Sequence, residues 1–264
     1  MKGRVLIIAG SDPSGGAGVQ ADIKTVTALG GYAAAAITAL TVQNTRGVTA
    51  VMQVPPEIIL GQIKAVLDDI GADAIKIGMI GDLAAAAAIE SALRPVASDI
   101  AIVLDPVLIA TSGDSLAQKG VAEFILRRLL PLASLVTPNS DEAAILTGFS
   151  VRTPEDLARA GRDLVRGGAA AALVKGGHLD GDVVMDVLVD AAGKAAFSNP
   201  RIASTSTHGT GCTLASAVAT GLAQGLPLRG SVERAIAYVR EAILTAPGFG
   251  AGRGPLNHAH TVKG

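Results

Sequence analysis

The sequence predicts an α/β fold with a mostly parallel central sheet flanked by helices. Short, mostly apolar segments are typical of strands that are buried on both faces of such a sheet. Six of them occur along the chain, at residues 5–9, 33–39, 74–77, 100–104, 135–137 and 171–174. Helix-like segments separate them, and this alternation favours parallel strands covered by helices.

Helix signals and one hairpin complete the predicted layers. Prolines near helix starts and glycines near helix ends mark the boundaries. Helices are predicted at residues 56–70, 154–166, 212–224 and 228–246. Two strand-like segments, 183–189 and 194–197, flank a glycine-containing turn, which predicts an antiparallel hairpin at one edge of the sheet.

Composition excludes several classes of function. The 264 residues show no linker or shift in composition, so we predict a single domain over residues 1–264. A net charge of -1 and 2% aromatic residues argue against binding to nucleic acid. Apolar segments fall short of the roughly 20 residues that span a bilayer, so no membrane partner is expected. Residues 5–10 are too short for a signal-peptide core, and a single cysteine suits a reducing compartment, so we expect a cytoplasmic protein.

A glycine-rich turn precedes the predicted helix at 212–224. Gly209-Thr210-Gly211-Cys212 would present backbone amides together at a helix start, where the helix dipole also favours an anion. The turn lacks the Gly-Lys-Ser/Thr of a Walker A loop. The dipole would also favour the thiolate of Cys212, which could then accept a proton, although a lone cysteine often serves only as a small buried hydrophobe. His208 is a candidate ligand contact or a packed side chain.

A second glycine-rich loop follows the first predicted strand. It contains Gly10, Asp12, Gly15, Gly16 and Gly18, whose spacing does not fit the G-x-G-x-x-G dinucleotide pattern. It is either an ordinary strand-to-helix loop or part of a ligand site. Asp22, one turn into the following helix, would be solvated or would face a ligand.

Polar side chains follow several predicted strands. Ligands gather beyond the carboxyl ends of parallel strands. Asp105 ends an apolar strand before Pro106 and is a candidate Mg²⁺ or phosphate-side carboxylate. Gln43 and Met79 occupy similar places, although each alone is more typical of a loop amide or a core filler.

Two later segments add candidates for the same site. Asn139 and Glu142 open a helix after a strand, where a helix cap and an early acid are one explanation and a ligand site is another. Lys175 ends a strand before two glycines, where it could reach a phosphate; an exposed lysine before a turn is the alternative.

Eight ordered motifs resemble the hydroxymethylpyrimidine kinase and phosphomethylpyrimidine kinase family of thiamine biosynthesis, a branch of the ribokinase-like superfamily. The motifs span almost the whole chain. They are Ala9-Gly10-Ser11-Asp12-Pro13-Ser14-Gly15-Gly16-Ala17-Gly18, Ala39-Leu40-Thr41-Val42-Gln43-Asn44-Thr45, Lys76-Ile77-Gly78-Met79, Asp105-Pro106-Val107, Thr137-Pro138-Asn139, Lys175-Gly176-Gly177-His178, His208-Gly209-Thr210-Gly211-Cys212-Thr213 and Gly254-Pro255-Leu256-Asn257-His258. One departure is Leu108, where a methionine is common in the family, a change of similar volume.

The resemblance implies a ribokinase-like three-layer sandwich and an ATP-dependent kinase that uses Mg²⁺. The implied substrates are 4-amino-5-hydroxymethyl-2-methylpyrimidine and then its monophosphate. Cys212 matches the catalytic base, assisted by Lys175 and the amides of Gly209 and Gly211. The implied pyrimidine contacts are Gly10, Ala17, Asp22, Gln43, Met79 and Val107. The implied ATP contacts are Asn139, Glu142, Lys175, His208 and Thr210, with Asp105 and Glu142 at the metal.

Two alternatives to this function remain open at the level of sequence. Few differences near Gln43 and Met79 separate this family from pyridoxal kinases, so a pyridoxal/pyridoxine kinase is the first. The second is a non-catalytic protein that binds a pyrimidine, against which the anion turn with Cys212 and Lys175 argues. We further expect a homodimer.

Overall fold

One nine-stranded sheet runs through the part of the chain that the structure describes. The computed structural model describes residues 1–108 and 120–262. In chain order the strands are β1 (Arg4–Ser11), β2 (Tyr32–Asn44), β3 (Gly47–Gln53), β4 (Ala74–Ile77), β5 (Ala101–Leu104), β6 (Leu135–Val136), β7 (Ala172–Val174), β8 (Val183–Asp190) and β9 (Gly193–Pro200). Across the sheet their order is β3-β2-β1-β4-β5-β6-β7-β8-β9. All six predicted strands of the parallel part are therefore present.

The sheet is parallel in its centre and antiparallel at both edges. Strands β2, β1, β4, β5, β6 and β7 pair in parallel, and β8 and β9 form the predicted antiparallel hairpin. The sequence did not predict β3, which pairs antiparallel with β2 at the opposite edge. Strand β2 continues to Asn44, so the polar segment around Gln43 lies inside a strand instead of following one.

Helices cover both faces of the sheet, which confirms the three-layer sandwich. The helices are α1 (Gly18–Ala28), α2 (Pro56–Asp69), α3 (Leu83–Leu93), α4 (Val121–Phe124), α5 (Ser140–Thr147), α6 (Pro154–Arg166), α7 (Thr210–Ala223) and α8 (Leu228–Leu244). Helices α2 to α6 pack on one face around an apolar core that includes Leu6, Ile75 and Ile102. Helices α1, α7 and α8 enclose a second core on the other face, around Ile7 and Val103.

The chain reverses its direction of travel across the sheet beside β1. From β1 it first builds β2 and β3 on one side and then crosses to β4 on the other. Loops at the carboxyl ends of β1 and β4 therefore diverge and leave a crevice, which is where open α/β sheets bind ligands. None of the helices within residues 1–108 and 120–262 is long and apolar enough to cross a membrane.

Candidate active site

The two glycine-rich loops predicted from the sequence pack against each other at this crevice. Gly209 caps α7 with φ 81°, and a Cβ there would collide with the carbonyl oxygen of Gly16. A Cβ at Gly16 would in turn collide with the ring of His208. Thr210 is the first residue of α7 and is half-buried. The glycines thus permit a backbone contact that no larger residue would allow, and they bring the start of α7 to the start of α1.

His208 ties these loops together. Its Nε2 lies 2.7 Å from Oδ2 of Asp12, and both side chains are buried. Asp12 also accepts hydrogen bonds from the Ser14 hydroxyl and from the Ala17 amide. Burial raises the pKa of Asp12, but the hydrogen bonds from His208 and Ser14 outweigh it and leave that pKa below its usual range. The ring of His208 is thus engaged within the protein, and its contact with ATP stays a prediction.

Lys175 and Asp105 form an ion pair in front of the first turn of α7. Lys175 Nζ lies 2.9 Å from Asp105 Oδ1, which also accepts a hydrogen bond from the Thr137 hydroxyl at 2.9 Å. A Cβ at Gly211 would lie 3.1 Å from Lys175 Nζ and 3.6 Å from Asp105 Oδ2. Gly211 therefore leaves the ammonium group and the free amides of the helix start close to one another, which is a favourable arrangement for a phosphate.

Glu142 joins this group from α5. Its carboxylate accepts the backbone amide of Asn139 at 2.8 Å, while the Asn139 side chain accepts the amide of Glu142 at 2.8 Å. The cap that the sequence suggested is therefore present, and it also aims Glu142 at Lys175, 4.0 Å away. Burial raises the pKa of Glu142 to about 7, with Asp105 adding to the rise and Lys175 opposing it. Capping and a role at a ligand site are thus compatible.

The carboxylates of Asp105 and Glu142 fit a Mg²⁺ ion that is shared with phosphates. Among the described residues, no cluster of three or more His, Cys, Asp or Glu side chains is placed to hold a metal. Mg²⁺ at kinase sites is commonly bound by one or two carboxylates, with phosphates and water completing its shell. Asp105 Oδ2 has no hydrogen-bond partner among the described residues, so a carboxylate oxygen faces the start of α7.

Cys212 is half-buried in the first turn of α7. Burial raises the pKa of its thiol to about 11, and Asp22 and Asp105 add to this rise, whereas Lys76 lowers the pKa. The expectation that the helix dipole favours the thiolate is therefore not met in the free protein, because desolvation and nearby carboxylates outweigh it. The thiol is the dominant form near neutral pH.

Residues 254–258 contact Thr213, the residue that follows Cys212, and also His208 before the turn. The hydroxyl of Thr213 and Nε2 of His258 are 3.0 Å apart, and both residues are buried. Burial lowers the pKa of His258 to about 4, so the imidazole is neutral at pH 7. The backbone amide of His208 donates to the carbonyl of Gly254 at 3.0 Å. The motif at 254–258 thus supports both ends of the turn that carries Cys212.

Asp22 lies beneath the site instead of lining it. It is fully buried, and its two carboxylate oxygens accept from Lys76 Nζ at 2.8 Å and from the Ser216 hydroxyl at 2.7 Å. Direct contact between Asp22 and a ligand stays a prediction and would require one of these bonds to give way. Lys76 was missed as a site residue, although a lysine inside an otherwise apolar strand was a visible signal.

The remaining predicted contacts surround the crevice from several elements. Met79 follows β4, and a Cβ at Gly10 would lie 2.9 Å from its sulfur. Gln43 on β2 accepts a hydrogen bond from Thr41, whose hydroxyl also lies 3.0 Å from the carbonyl oxygen of Ser11. Ala17 precedes α1, and Val107 follows Asp105 and is half-buried. The residues thus come from the carboxyl-terminal parts of four neighbouring strands, β2, β1, β4 and β5, and from the start of α1.

Two surface clefts lie beside α8. The larger, of about 730 Å³, lies between residues 202–206 and the end of α8 with its following loop. Residues 204–206 lead directly into the turn before α7. The smaller, of about 430 Å³, lies between β9 and α8 and is lined by none of the predicted site residues.

Comparison with known proteins shows extended similarity. A family model described as phosphomethylpyrimidine kinase matches residues 12–257. The chain is 47% identical to the hydroxymethylpyrimidine/phosphomethylpyrimidine kinase of Rhizobium meliloti, over 97% of this chain and 96% of that protein. It is 48% identical to a thiamine biosynthesis bifunctional protein of Geobacter sulfurreducens over 97% of this chain, but it spans only 52% of that relative's length.

Solved structures agree with this similarity. The phosphomethylpyrimidine kinase of Clostridium difficile superposes with a TM-score of 0.81 at 39% identity, covering 92% of this chain and all of that one. The pyridoxal kinase of Bacillus subtilis, solved as an ADP complex, superposes with a TM-score of 0.89 at 29% identity, with 98% of each chain covered. The fold is therefore shared by two kinds of vitamin kinase.

Proposed function

The chain belongs to the phosphomethylpyrimidine kinase family, and on this basis we propose that it phosphorylates 4-amino-5-hydroxymethyl-2-methylpyrimidine with ATP and then phosphorylates the monophosphate. These reactions would serve thiamine biosynthesis. The observation that carries the proposal is the Lys175–Asp105 pair in front of Gly211 at the start of α7. It provides a cation, helix amides and a carboxylate at one place, as phosphoryl transfer requires.

ATP would bind with its phosphates at the start of α7. The amides of Gly209 to Cys212 and the Lys175 ammonium would stabilise the charge on the transferred group, because both are fixed before the reaction. Asn139 and Thr210 border this place, and the 730 Å³ cleft beside residues 202–206 has room for the base and ribose. Asp105 and Glu142 would hold Mg²⁺, which would neutralise charge on the phosphates when bound.

The pyrimidine would occupy the crevice between the ends of β1, β2 and β4. The amide of Gln43 offers a donor and an acceptor to the polar edge of the ring, while Met79 and Val107 offer apolar contacts to its faces. Gly10 and Ala17 contribute backbone. Asp22 would act mainly through its hydrogen bonds with Lys76 and Ser216, below the crevice.

In the transfer step the hydroxymethyl oxygen of the substrate attacks the γ-phosphorus of ATP. The bond from the γ-phosphorus to the bridging oxygen breaks and ADP leaves. The hydroxyl proton passes to the sulfur of Cys212 in its thiolate form, which is the minor form in the free protein because burial raises the pKa of the thiol to about 11. An alcohol has a pKa well above that of a thiol, so the proton moves late, when the new P–O bond is already forming. Positioning and charge stabilisation supply most of the rate enhancement.

ADP release measured with three acceptors tests this function. The protein is incubated with ATP and Mg²⁺ and with hydroxymethylpyrimidine, its monophosphate or pyridoxal. We expect both pyrimidines to be phosphorylated with higher kcat/KM than pyridoxal. A strong preference for pyridoxal would contradict the proposal, and turnover of any acceptor would exclude a protein that only binds.

A pyridoxal kinase is the second candidate function. The TM-score of 0.89 to the Bacillus subtilis pyridoxal kinase favours it. This chain is 29% identical to that pyridoxal kinase but 47% identical to the Rhizobium meliloti pyrimidine kinase. The difference supports the pyrimidine as the main substrate. The same three-acceptor assay separates the two candidates.

A homodimer formed through the edge of β2 and β3 is part of the proposal. Leu40 pairs with Met52 and Val42 with Ala50, so these side chains share one face of the two strands. Leu40 is 40% exposed, and Val42 and Met52 are each 60% exposed, which makes an apolar surface that a second copy would cover.

Light scattering after size exclusion should give twice the monomer mass, and Val42→Lys should give a monomer. Val183→Lys on β8, a position 53% exposed at the other edge, is the control.

Two further predictions accompany this function. The one sheet that joins residues from Arg4 to Pro200 supports a single domain over residues 1–264. A single, half-buried cysteine that works as a base requires a compartment that keeps thiols reduced, and this supports the cytoplasm as its location.

A further inference from the structure

Lys76 is a charged residue in the middle of an apolar layer. It lies on β4, and its side chain is fully buried. Its register partners on the neighbouring strands are Ile7 and Val103, and both are also fully buried. A lysine side chain in such surroundings loses its hydration and must be compensated by other charges or polar groups.

The ammonium group of Lys76 is connected to the helix that carries Cys212. Its Nζ lies 2.8 Å from Asp22 Oδ2, and Asp22 Oδ1 accepts the hydroxyl of Ser216 at 2.7 Å. Ser216 follows Cys212 by four residues on α7, so the two side chains lie one above the other on the same face. A Cβ at Gly78 would come within 2.7 Å of Lys76 Nζ, so the strand end gives this ammonium room.

The charges around Cys212 come from four elements. Lys76 on β4 and Lys175 after β7 are the cations, and Asp22 on α1 and Asp105 after β5 are the carboxylates. Burial raises the pKa of the Cys212 thiol first and most, and the largest opposing effect comes from Lys76. Lys175 is bound to Asp105, whereas Lys76 is bound to Asp22, which also accepts the hydroxyl of Ser216 one turn after Cys212 on α7.

Stability alone does not account for this ion pair. A buried ion pair contributes little net stability, because the cost of removing two charges from water offsets their attraction. Replacing both members of such a pair by apolar side chains of similar volume is often neutral or stabilising. Charged groups kept at such a cost next to a reactive side chain are a common feature of active sites.

We propose that Lys76, held in place by Asp22, is a positioning residue for Cys212 that supplies the positive charge beside its sulfur during proton transfer. This rests on the proposed function, in which Cys212 is the base. Lys76 would act through Cys212 and not through contact with the substrate. Asp22 has two effects, since it fixes the ammonium group but also opposes its charge.

Alkylation of the thiol tests the proposal without requiring kinase activity. Cys212 is the only cysteine of the chain, so uptake of iodoacetamide at pH 8.5, followed by mass spectrometry, reports on this residue alone. One unit of thiol pKa changes the thiolate fraction tenfold and the alkylation rate roughly threefold, because a less basic thiolate is also less nucleophilic. We expect Lys76→Met to be alkylated at least roughly threefold more slowly than the natural protein, and Asp22→Asn at least roughly threefold faster.

Opposite shifts from the two members of one ion pair separate charge from structure. Loosening of the fold would expose the thiol and speed alkylation in both variants. If Lys76→Met does not fold, Lys76→Met/Asp22→Asn leaves no uncompensated charge and should be alkylated more slowly than Asp22→Asn, because only the single variant keeps the cation. Equal rates for Asp22→Asn and the double variant would overturn the proposal. Glu90→Gln removes a carboxylate from an ion pair on the opposite face of the sheet and should leave the rate unchanged.

The proposal is overturned if Lys76→Met is alkylated as fast as the natural protein or faster, or if Asp22→Asn is not faster. Turnover of hydroxymethylpyrimidine, measured separately, should fall in kcat for Lys76→Met. If no acceptor is phosphorylated but the alkylation rates diverge as expected, the proposed function fails and the electrostatic role of Lys76 stands. The reverse pattern removes the role of Lys76 and leaves the function.

Discussion

Lys175 and Asp105 are joined by an ion pair of 2.9 Å, with Lys175 Nζ also 4.0 Å from Glu142. The three side chains come from the ends of β7 and β5 and from the start of α5, and they meet only because parallel strands end at the same edge of the sheet. Burial lowers the pKa of Lys175, but Asp105 and Glu142 outweigh it and raise that pKa above its usual range. The ammonium is therefore charged at every pH at which the enzyme would work.

Replacing Lys175 removes the cation from the proposed phosphate site. In Lys175→Met, Asp105 and Glu142 remain as unpaired carboxylates next to the place proposed for the γ-phosphate. We expect kcat to fall by at least about 100-fold, as when a preorganised charge at a transition state is removed. ADP release is the measurement, and Lys194→Met at an exposed position on β9 is the control. Retention of more than a tenth of the turnover would show that Lys175 has no such role.

Two glycines with the same backbone conformation should respond differently to alanine. Gly209 has φ 81° and Gly225 has φ 82°, but a Cβ at Gly209 would collide with Gly16, whereas a Cβ at Gly225 has no atom within 4 Å. We expect Gly225→Ala to lose about 1 kcal/mol of unfolding free energy, from the strained backbone alone. Gly209→Ala should lose more and should also lose turnover, because the two glycine-rich loops must separate.

Urea unfolding of both variants and ADP release provide the comparison. Equal losses of stability in the two variants would mean that the contact between Gly209 and Gly16 carries no energy. Full turnover by Gly209→Ala would mean that the contact does not shape the site.

The periodicity of the sequence was sufficient to predict the centre of the fold. The strands of the parallel part are continuously apolar because both faces are covered, and such segments stand out. Strand β3 was missed because residues 47–53 are mostly exposed and alternate polar with apolar side chains only weakly. The hairpin of β8 and β9 was found because a glycine-containing turn marks it.

The grouping of several candidate residues at one edge of the sheet was predictable from the sequence, but the contacts between them were not. Strand ends identified Asp105, Asn139 and Lys175, because the carboxyl edge of a parallel sheet collects them. The pairing of Asp22 with Lys76 joins residues 54 positions apart, and no local pattern specifies it. The pKa of Cys212 is raised first by burial and then by carboxylates that the fold brings together, which is why an argument from the helix dipole alone gave the opposite sign.

Removal of the Cys212 thiol should lower the rate of phosphoryl transfer but should leave the affinity for the pyrimidine unchanged. In Cys212→Ala the amides of the turn, Lys175 and the crevice around Met79 are retained. We expect the rate to fall by at least about 100-fold, as for loss of a general base, with pyrimidine affinity unchanged. ADP release and calorimetric titration with hydroxymethylpyrimidine measure the two quantities. Turnover near that of the natural protein would show that Cys212 is only structural.

Acid should destabilise the protein through His258. In the fold the pKa of His258 is lowered to about 4, mainly by burial, with Lys24 and His260 adding to the effect, whereas the ordinary value is 6.5. Between these two values the unfolded chain binds a proton that the folded chain does not, so the unfolding free energy rises with pH across this window. The stabilisation is present above pH 6.5 and is lost as the pH falls towards 4. The loss should amount to about 1 to 3 kcal/mol.

His258→Gln isolates this effect, because glutamine can still reach the hydroxyl of Thr213 but takes up no proton. Urea unfolding at pH 7.0 and pH 4.5 should therefore show a smaller loss of unfolding free energy in His258→Gln than in the natural protein. His178→Gln, which removes a half-exposed histidine, controls for the loss of one imidazole. If His258→Gln and the natural protein lost the same free energy between the two pH values, His258 would not be the buried neutral imidazole that supports the turn of Cys212.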